Sequence, residues 1–249
     1  MRTPWTDDFP DVVIHTDVRA RDAHPCYAAA KAGDVDAAYS LVIDLVSDRA
    51  LTELRSMVAG TSLFLLPVIA DETSGFNAIP DALAQYLGRD LHRAVVAGEI
   101  VQTNKVGHTR ARTFQRIVTP PTFDGYVELG AAYLLVDDHV GLGGTFANLR
   151  GFIEAGGGRV LAMTALTESR DGRMISLRPS TRDMLWIKHG EDLNQLWHAQ
   201  FGYGIDCLTE VEAQNLCRQQ SVDAIEDFLA QAAVEARSRG LDPVVAAAD

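Results

Sequence analysis

The chain has 249 residues, of which 47% are hydrophobic and 22% are charged, and its formal net charge is −12. This composition is typical of a folded globular protein and excludes a disordered or fibrous chain. The excess of acidic residues argues against sequence-independent binding to nucleic acids or anionic lipids, because the field of the protein would repel both.

Targeting and cysteine features predict a cytoplasmic protein. The sequence contains no run of about 18 apolar residues, so we predict no transmembrane segment. The first residues are polar and acidic and lack the basic-then-apolar pattern of a secretory signal. The three cysteines, Cys26, Cys207 and Cys217, are too few and too scattered for a disulfide framework or a zinc site.

The N-terminal region, residues 1–60, is predicted to begin as a loop and then to become helical. Apolar residues recur at helical spacing between Tyr27 and Val58, in a stretch without proline. Gly33 and Asp34 interrupt this pattern and predict a break between a short helix and a longer one. We assign residues 1–60 to the N-terminal part of a helical hood.

Residues 61–166 alternate between strand and helix patterns. Continuous apolar runs predict buried strands at residues 63–69, 132–136 and 159–166. Helical patterns follow the first two strands, at residues 77–87 and from Gly144 and Thr145 to Glu154. Because strands that alternate with helices imply right-handed crossovers, we predict an α/β fold with a Rossmann-like parallel sheet of about five strands.

Residues 167–249 are predicted to be largely helical again. Thr209 and Ser221 each place a capping hydroxyl before acidic residues, which predicts helices at 209–219 and 221–239. We assign this region to the C-terminal part of the hood. Together with residues 1–60, it is expected to cover the carboxyl edge of the core sheet.

The segment from residue 132 to residue 145 carries the clearest chemical signal. Its strand delivers Asp137 and Asp138 at the carboxyl end, and a glycine-rich loop then leads into a helix that starts at Thr145. Backbone N–H groups at such a helix N-terminus bind phosphate. Two acids would repel this phosphate unless they bind ribose hydroxyls, or a magnesium ion held by those hydroxyls. The segment therefore predicts a site for a ribose 5-phosphate that carries further charge at carbon 1.

This segment resembles the signature of the type I phosphoribosyltransferases, in which an apolar strand, two acids and a four-residue stretch precede Gly-Gly-Thr. The matching residues are Leu134, Leu135, Val136, Asp137, Asp138, Gly143, Gly144 and Thr145. The resemblance covers about residues 61–166. It implies that the two acids contact the 2′ and 3′ hydroxyls of phosphoribosyl pyrophosphate (PRPP) and that the loop binds its 5-phosphate.

The resemblance therefore assigns both a ligand site and a metal. The residues expected to bind PRPP are Asp137, Asp138, His139, Gly141, Leu142, Gly143, Gly144 and Thr145. Mg²⁺ is expected at Asp137 and Asp138, held through ribose hydroxyls or water. Two features depart from the family pattern: His139 replaces a small or aliphatic residue, and Gly141 with Leu142 replaces a pair that is commonly hydroxylated.

A second resemblance covers residues 66–88, which are similar to the first strand, turn and helix of the family. The similarity is closest to the competence-protein F-like members, in which Gly-Phe-Asn precedes a helix. It implies that backbone amides of the following turn bind pyrophosphate: Ala70, Asp71, Glu72, Thr73 and Ser74. The two acids of this turn oppose pyrophosphate binding unless they face outward or hold a second magnesium ion.

Residues 100–123 contain no acidic residue, although acids outnumber bases in the whole chain. The basic residues of this window include Lys105, Arg110 and Arg112, which we assign as catalytic cations. Family members carry a mobile basic loop at this place, and its cations stabilise the charge that develops on the leaving pyrophosphate. The alternative is a solvated basic face or a docking site for an acidic partner.

The combined hypothesis is a phosphoribosyltransferase that transfers the 5-phosphoribosyl group from PRPP to a nitrogen nucleophile. Its partners would be PRPP and a small-molecule acceptor, with no membrane or nucleic acid, and the pattern is compatible with a homodimer. The acceptor is not identified, although the strand at 159–166 lacks the lysine expected for a 6-oxopurine. The alternative hypothesis is a non-catalytic regulatory protein of the same fold that senses PRPP or a nucleotide.

Overall fold

The computed structural model describes residues 2–72, 75–104 and 113–244. The strands of these residues are β1 (Val13–Ile14), β2 (Phe64–Pro67), β3 (Asp71–Glu72), β4 (Gly75–Phe76), β5 (Ala94–Val95), β6 (Ile100–Gln102), β7 (Phe123–Gly125), β8 (Ala132–Val140) and β9 (Arg159–Glu168). Five of them form one sheet in the order β1-β9-β8-β2-β5, and all its neighbouring strands are parallel. The pairs β3–β4 and β6–β7 are antiparallel. The predicted α/β fold with a parallel sheet of about five strands is confirmed.

Helices flank this sheet and come from both terminal regions as well as from the core. They are α1 (Val18–Ala23), α2 (Tyr27–Lys31), α3 (Val35–Leu45), α4 (Asp48–Met57), α5 (Ile79–Leu91), α6 (Thr113–Val118), α7 (Gly144–Ala155), α8 (Pro179–Phe201), α9 (Glu210–Cys217) and α10 (Val222–Ser238). Helix α8 is interrupted at Gly190, whose φ is 56°. Among the described helices, none combines the length and the apolarity that a membrane crossing requires.

Helix boundaries follow the capping residues of the sequence. Thr209 caps α9 and Ser221 caps α10, as the sequence predicted, and Thr209 forms a full capping box with Glu212. At the predicted break, Asp34 is the N-cap of α3. The long N-terminal helix that we predicted is divided a second time, because Ser47 accepts a hydrogen bond from the backbone N–H of Ala50 and begins α4.

The two faces of β8 explain why its first five residues, 132–136, form a continuous apolar run. Tyr133 and Leu135 belong to the apolar core that includes residues of α7, whereas Leu134 and Val136 belong to the core that includes residues of α5. A strand that is buried on both faces has no polar side and reads as one apolar run. The acid pair therefore lies near the end of a strand that is packed on both faces.

Two strands of the sheet, β1 and β5, were not predicted. The strand β1 comes from the N-terminal region and pairs with β9 at one edge of the sheet, with Val13 opposite Thr164. A strand of two residues has too little periodicity to be recognised by its pattern. The division of the chain into a core and a two-part hood at residues 60 and 166 stays a prediction.

Candidate functional site

The paired carboxylates lie near the C-terminal end of β8, at the carboxyl edge of the parallel sheet. Asp137 Oδ1 accepts a hydrogen bond of 2.8 Å from the backbone N–H of Asp138. Lys31, the last residue of α2, donates from Nζ to Asp138 Oδ2 at 2.9 Å. Asp138 is therefore ion-paired with a residue of the N-terminal region.

The two carboxyl groups have opposite pKa shifts. Burial raises the pKa of Asp137 well above its ordinary value, and the negative charge of Asp138 raises it further. Burial also opposes the charge of Asp138, but the ion pair and hydrogen bond with Lys31 outweigh burial and lower its pKa. The fold thus favours the charged form of Asp138 through Lys31 and disfavours the charged form of Asp137.

The glycine-rich loop places the N-terminus of α7 beside these acids. Gly143 is the N-cap residue and has a φ of 82°, a left-handed conformation that glycine adopts without strain. The Thr209 hydroxyl donates to the Leu142 carbonyl oxygen at 2.5 Å and thereby joins the loop to the start of α9. The first backbone N–H groups of α7 precede the first bond inside the helix, so they are available to an anion.

His139 is held as a neutral imidazole at the end of β8. Its Nδ1 lies 2.9 Å from the Thr167 hydroxyl, and its Nε2 lies 2.9 Å from the Ser169 hydroxyl. Burial and the nearby Arg21 guanidinium lower the pKa of His139 to about 4. Arg21 itself donates to the Thr167 hydroxyl at 2.8 Å and lies over the ring of Tyr27.

A cavity of about 310 Å³ joins the acids, the loop and the α7 N-terminus. The sequence-predicted site residues that line it are Ala70, Asp137, Asp138, His139, Gly141, Leu142, Gly143, Gly144 and Thr145. Asn77 also lines it, and its Oδ1 accepts from the backbone N–H of Ile79 at the start of α5. The fold therefore brings the whole predicted phosphate loop and the acid pair to one cavity.

The structure describes only some of the other predicted site residues. Asp71 and Glu72 form β3, which pairs with β4 in antiparallel orientation, so part of the predicted turn after β2 is extended strand. Thr73, Ser74, Lys105, Arg110 and Arg112 lie outside the described residues. The assignments of a pyrophosphate turn and of catalytic cations stay predictions.

Several charged residues of the cavity were missed by the sequence analysis. Arg2, Arg21 and Lys31 come from the N-terminal region, and Glu212 comes from α9. Isolated charged residues carry no periodic signal, and their partners are distant in sequence: Lys31 and Asp138 are 107 positions apart, and Arg2 and Glu212 are 210 apart. Arg116, which belongs to the acid-free window at residues 100–123, also lines the cavity and was not assigned to the site.

Comparison with known sequences gives relatives that are longer than this chain. No protein-family model matches it. The chain is 40% identical over 238 residues to Protein TraN of Escherichia coli, an alignment that covers 96% of this chain and 53% of TraN. It is also 40% identical over 153 residues to an uncharacterized protein of Haemophilus influenzae, covering 61% of this chain and 34% of that protein. The chain thus spans about half the length of TraN and about a third of the second relative.

Comparison with solved structures gives weak likenesses to phosphoribosyltransferases. Adenine phosphoribosyltransferase from Leishmania tarentolae matches 77% of this chain and 92% of its own, at 13% identity and a TM-score of 0.35. Purine phosphoribosyltransferase from Pyrococcus horikoshii matches 49% of this chain and 82% of its own, at 15% identity and a TM-score of 0.30. TM-scores this low carry no functional inference. The closer similarity to competence-protein F-like members stays a prediction.

Proposed function

We propose that the protein is a phosphoribosyltransferase that transfers the 5-phosphoribosyl group from PRPP to a nitrogen nucleophile. The observation that carries this proposal is that the Asp137–Asp138 pair and the N-terminus of α7 line one cavity at the carboxyl edge of the sheet. A ribose 5-phosphate presents a diol to the acids and a phosphate to the helix N-terminus. Ligands of parallel α/β sheets bind at this edge.

The acid pair fits both ribose hydroxyls and Mg²⁺. Carboxylate oxygens are the ligands that Mg²⁺ prefers, and it commonly takes only one or two of them together with water and substrate oxygens. Within the described residues, no cluster of three or more acidic, histidine or cysteine side chains could hold a metal alone. Mg²⁺ at Asp137 and Asp138 would supply charge neutralisation for the ligand.

The transfer itself requires little acid–base chemistry from the chain. The bond between carbon 1 and the pyrophosphate oxygen breaks, its electron pair leaves with pyrophosphate, and the nitrogen nucleophile bonds to carbon 1 and loses a proton. Asp137 would accept hydrogen bonds from the ribose hydroxyls, and the α7 N-terminus would hold the 5-phosphate in place. We assign stabilisation of the leaving pyrophosphate to Lys105, Arg110 and Arg112.

A second candidate is a regulatory protein that binds PRPP or a nucleotide without turnover. Asp71 and Glu72 of β3 favour it, because two acids in the predicted pyrophosphate turn oppose the pyrophosphate that the enzyme must hold and release. A nucleotide carries no pyrophosphate at carbon 1 of its ribose and does not meet these acids. The two candidates share the ribose 5-phosphate site and differ in turnover.

Pyrophosphate release tests the proposal. The protein is incubated with PRPP, MgCl₂ and a panel of nucleobases and amines. The enzyme hypothesis expects release with at least one acceptor and its loss in the Asp137→Asn/Asp138→Asn variant. The matched control is Glu226→Gln/Asp227→Asn, an exposed pair of adjacent acids on α10, which should keep the activity.

The free energy of unfolding, measured with and without PRPP, distinguishes the enzyme from the regulatory candidate. PRPP with Mg²⁺ should stabilise the wild-type fold by about 2.7 kcal/mol at a hundredfold excess over its dissociation constant. Stabilisation without turnover supports the regulatory candidate. A protein that is neither stabilised by PRPP nor active with any acceptor would refute both candidates.

A further inference from the structure

The phosphate loop is poor in side-chain donors. Residues 141–145 read Gly-Leu-Gly-Gly-Thr, so Thr145 alone supplies a hydroxyl. A doubly charged phosphate needs several donors to replace its water. The backbone N–H groups at the start of α7 meet part of this need, and the remaining donors must come from elsewhere in the fold.

Arg116 lies against the first residue of the loop. A Cβ atom at Gly141 would come within 2.7 Å of Arg116 Nη1, so the glycine leaves the space that the guanidinium uses. Arg116 belongs to α6 and lines the same cavity as the loop. Burial lowers the pKa of Arg116, but a guanidinium stays charged at physiological pH.

Arg2 lies against the other end of the loop. A Cβ atom at Gly144 would come within 3.2 Å of Arg2 Nη2 and equally close to Glu212 Oε1, which holds this guanidinium. Arg2 is 5% exposed, and its guanidinium donates to Glu212 at 2.5 and 2.9 Å and to Asn148 Oδ1 at 3.1 Å. These bonds use three of the five N–H groups of Arg2. The other two N–H groups have no acceptor among the described residues.

We propose that Arg2 and Arg116 bind the phosphate of a phosphate monoester from the two ends of the loop, in place of hydroxyl donors. This inference rests on the proposed function, since it names further ligands of the same site. Glu212 orients Arg2 and neutralises part of its charge. Arg2 would therefore bind the phosphate mainly by hydrogen bonds from its N–H groups. Arg116 supplies a second guanidinium at the Gly141 end of the loop.

Calorimetric titration with ribose 5-phosphate tests both residues. Arg116→Ala and Arg2→Ala should each raise the dissociation constant about 10- to 100-fold, the range for a lost hydrogen bond to a charged group. Arg116→Lys should recover part of the affinity. The matched control is Arg55→Ala, which removes an arginine that pairs with Asp90 away from the cavity and should leave the dissociation constant unchanged.

Two further variants separate ligand binding from structure. Arg2→Ala leaves Glu212 buried without its cation, so Arg2→Ala/Glu212→Gln is measured beside it, because glutamine preserves the capping box of α9. Gly141→Ala displaces only the flexible end of Arg116. It should weaken binding in the wild-type background and have no further effect in Arg116→Ala.

The outcomes distinguish this inference from the proposed function. Selective losses in the arginine variants, with unchanged unfolding free energy in the ligand-free Arg116→Ala protein, support the inference. If all the arginine variants bind ribose 5-phosphate as the wild type does, the inference is wrong and the proposed function stands. If the wild type binds neither ribose 5-phosphate nor PRPP, both are wrong.

Discussion

Replacing Lys31 by methionine removes the cation that compensates the acid pair. Methionine keeps an unbranched apolar stem, so the main loss is the ion pair with Asp138. The charged atoms are 2.9 Å apart, and the two side chains are 29% and 10% exposed. Exposed pairs contribute about 0.2–1 kcal/mol, and breaking a buried pair costs about 3–5 kcal/mol, so we expect a loss of roughly 1–3 kcal/mol here.

The loss should depend on Mg²⁺. Without Lys31, the adjacent carboxylates of Asp137 and Asp138 repel each other at the end of β8. A divalent cation can replace the missing ammonium, because carboxylates are its preferred ligands. We therefore expect MgCl₂ to stabilise Lys31→Met more than the wild type, whose acid pair is already partly compensated.

Urea unfolding with and without MgCl₂ measures both effects. A loss of about 2 kcal/mol with an m-value of about 3 kcal/mol/M lowers the midpoint by roughly 0.7 M. Lys31→Met/Asp138→Asn is measured with the two single variants, so that the cycle isolates the energy of the pair from the other contacts of Lys31. Strictly additive losses, or equal effects of Mg²⁺ on Lys31→Met and on the wild type, would refute the reasoning.

Three other outcomes are expected. Thr145→Val should weaken ribose 5-phosphate binding by about 1.5–3 kcal/mol in calorimetry, because a hydrogen bond to a charged group is lost; an unchanged affinity would exclude this hydroxyl as a ligand. Lys105→Ala or Arg112→Ala should lower turnover by about 10²–10³ with little change in the apparent affinity for PRPP. Wild-type turnover in both variants would contradict their assignment. Burial and Arg49 lower the pKa of His15 from 6.5 to about 4. The unfolded chain therefore takes up this proton first, and the free energy of unfolding should fall as the pH falls from 6.5 toward 4. Urea midpoints against pH test this, and His15→Gln should reduce the slope; an unchanged slope would rule out His15 as its source.

The sequence by itself predicted the central unit of the protein, which consists of β8, the glycine-rich loop and α7. These features are local. A strand covered on both faces needs an uninterrupted apolar run, a left-handed N-cap residue at position 143 needs glycine, and the acids lie in the same strand, directly after this run. Local signals of the same kind predicted the parallel sheet and the caps of α9 and α10. Local signals did not predict β1, because its two residues form a strand only by pairing with the edge of β9.

Only the tertiary structure decided how the charges of the site are balanced. Lys31 meets Asp138 because α2 packs near the end of β8, and Arg2 meets Glu212 because the N-terminal segment reaches the start of α9. No spacing rule connects residues so far apart in sequence. The pKa values of the acid pair depend on these contacts and on burial, since the energy of a charge is determined by its distance to other charges and to water. The chain thus specifies the acids locally, while their ionisation is a property of the folded protein.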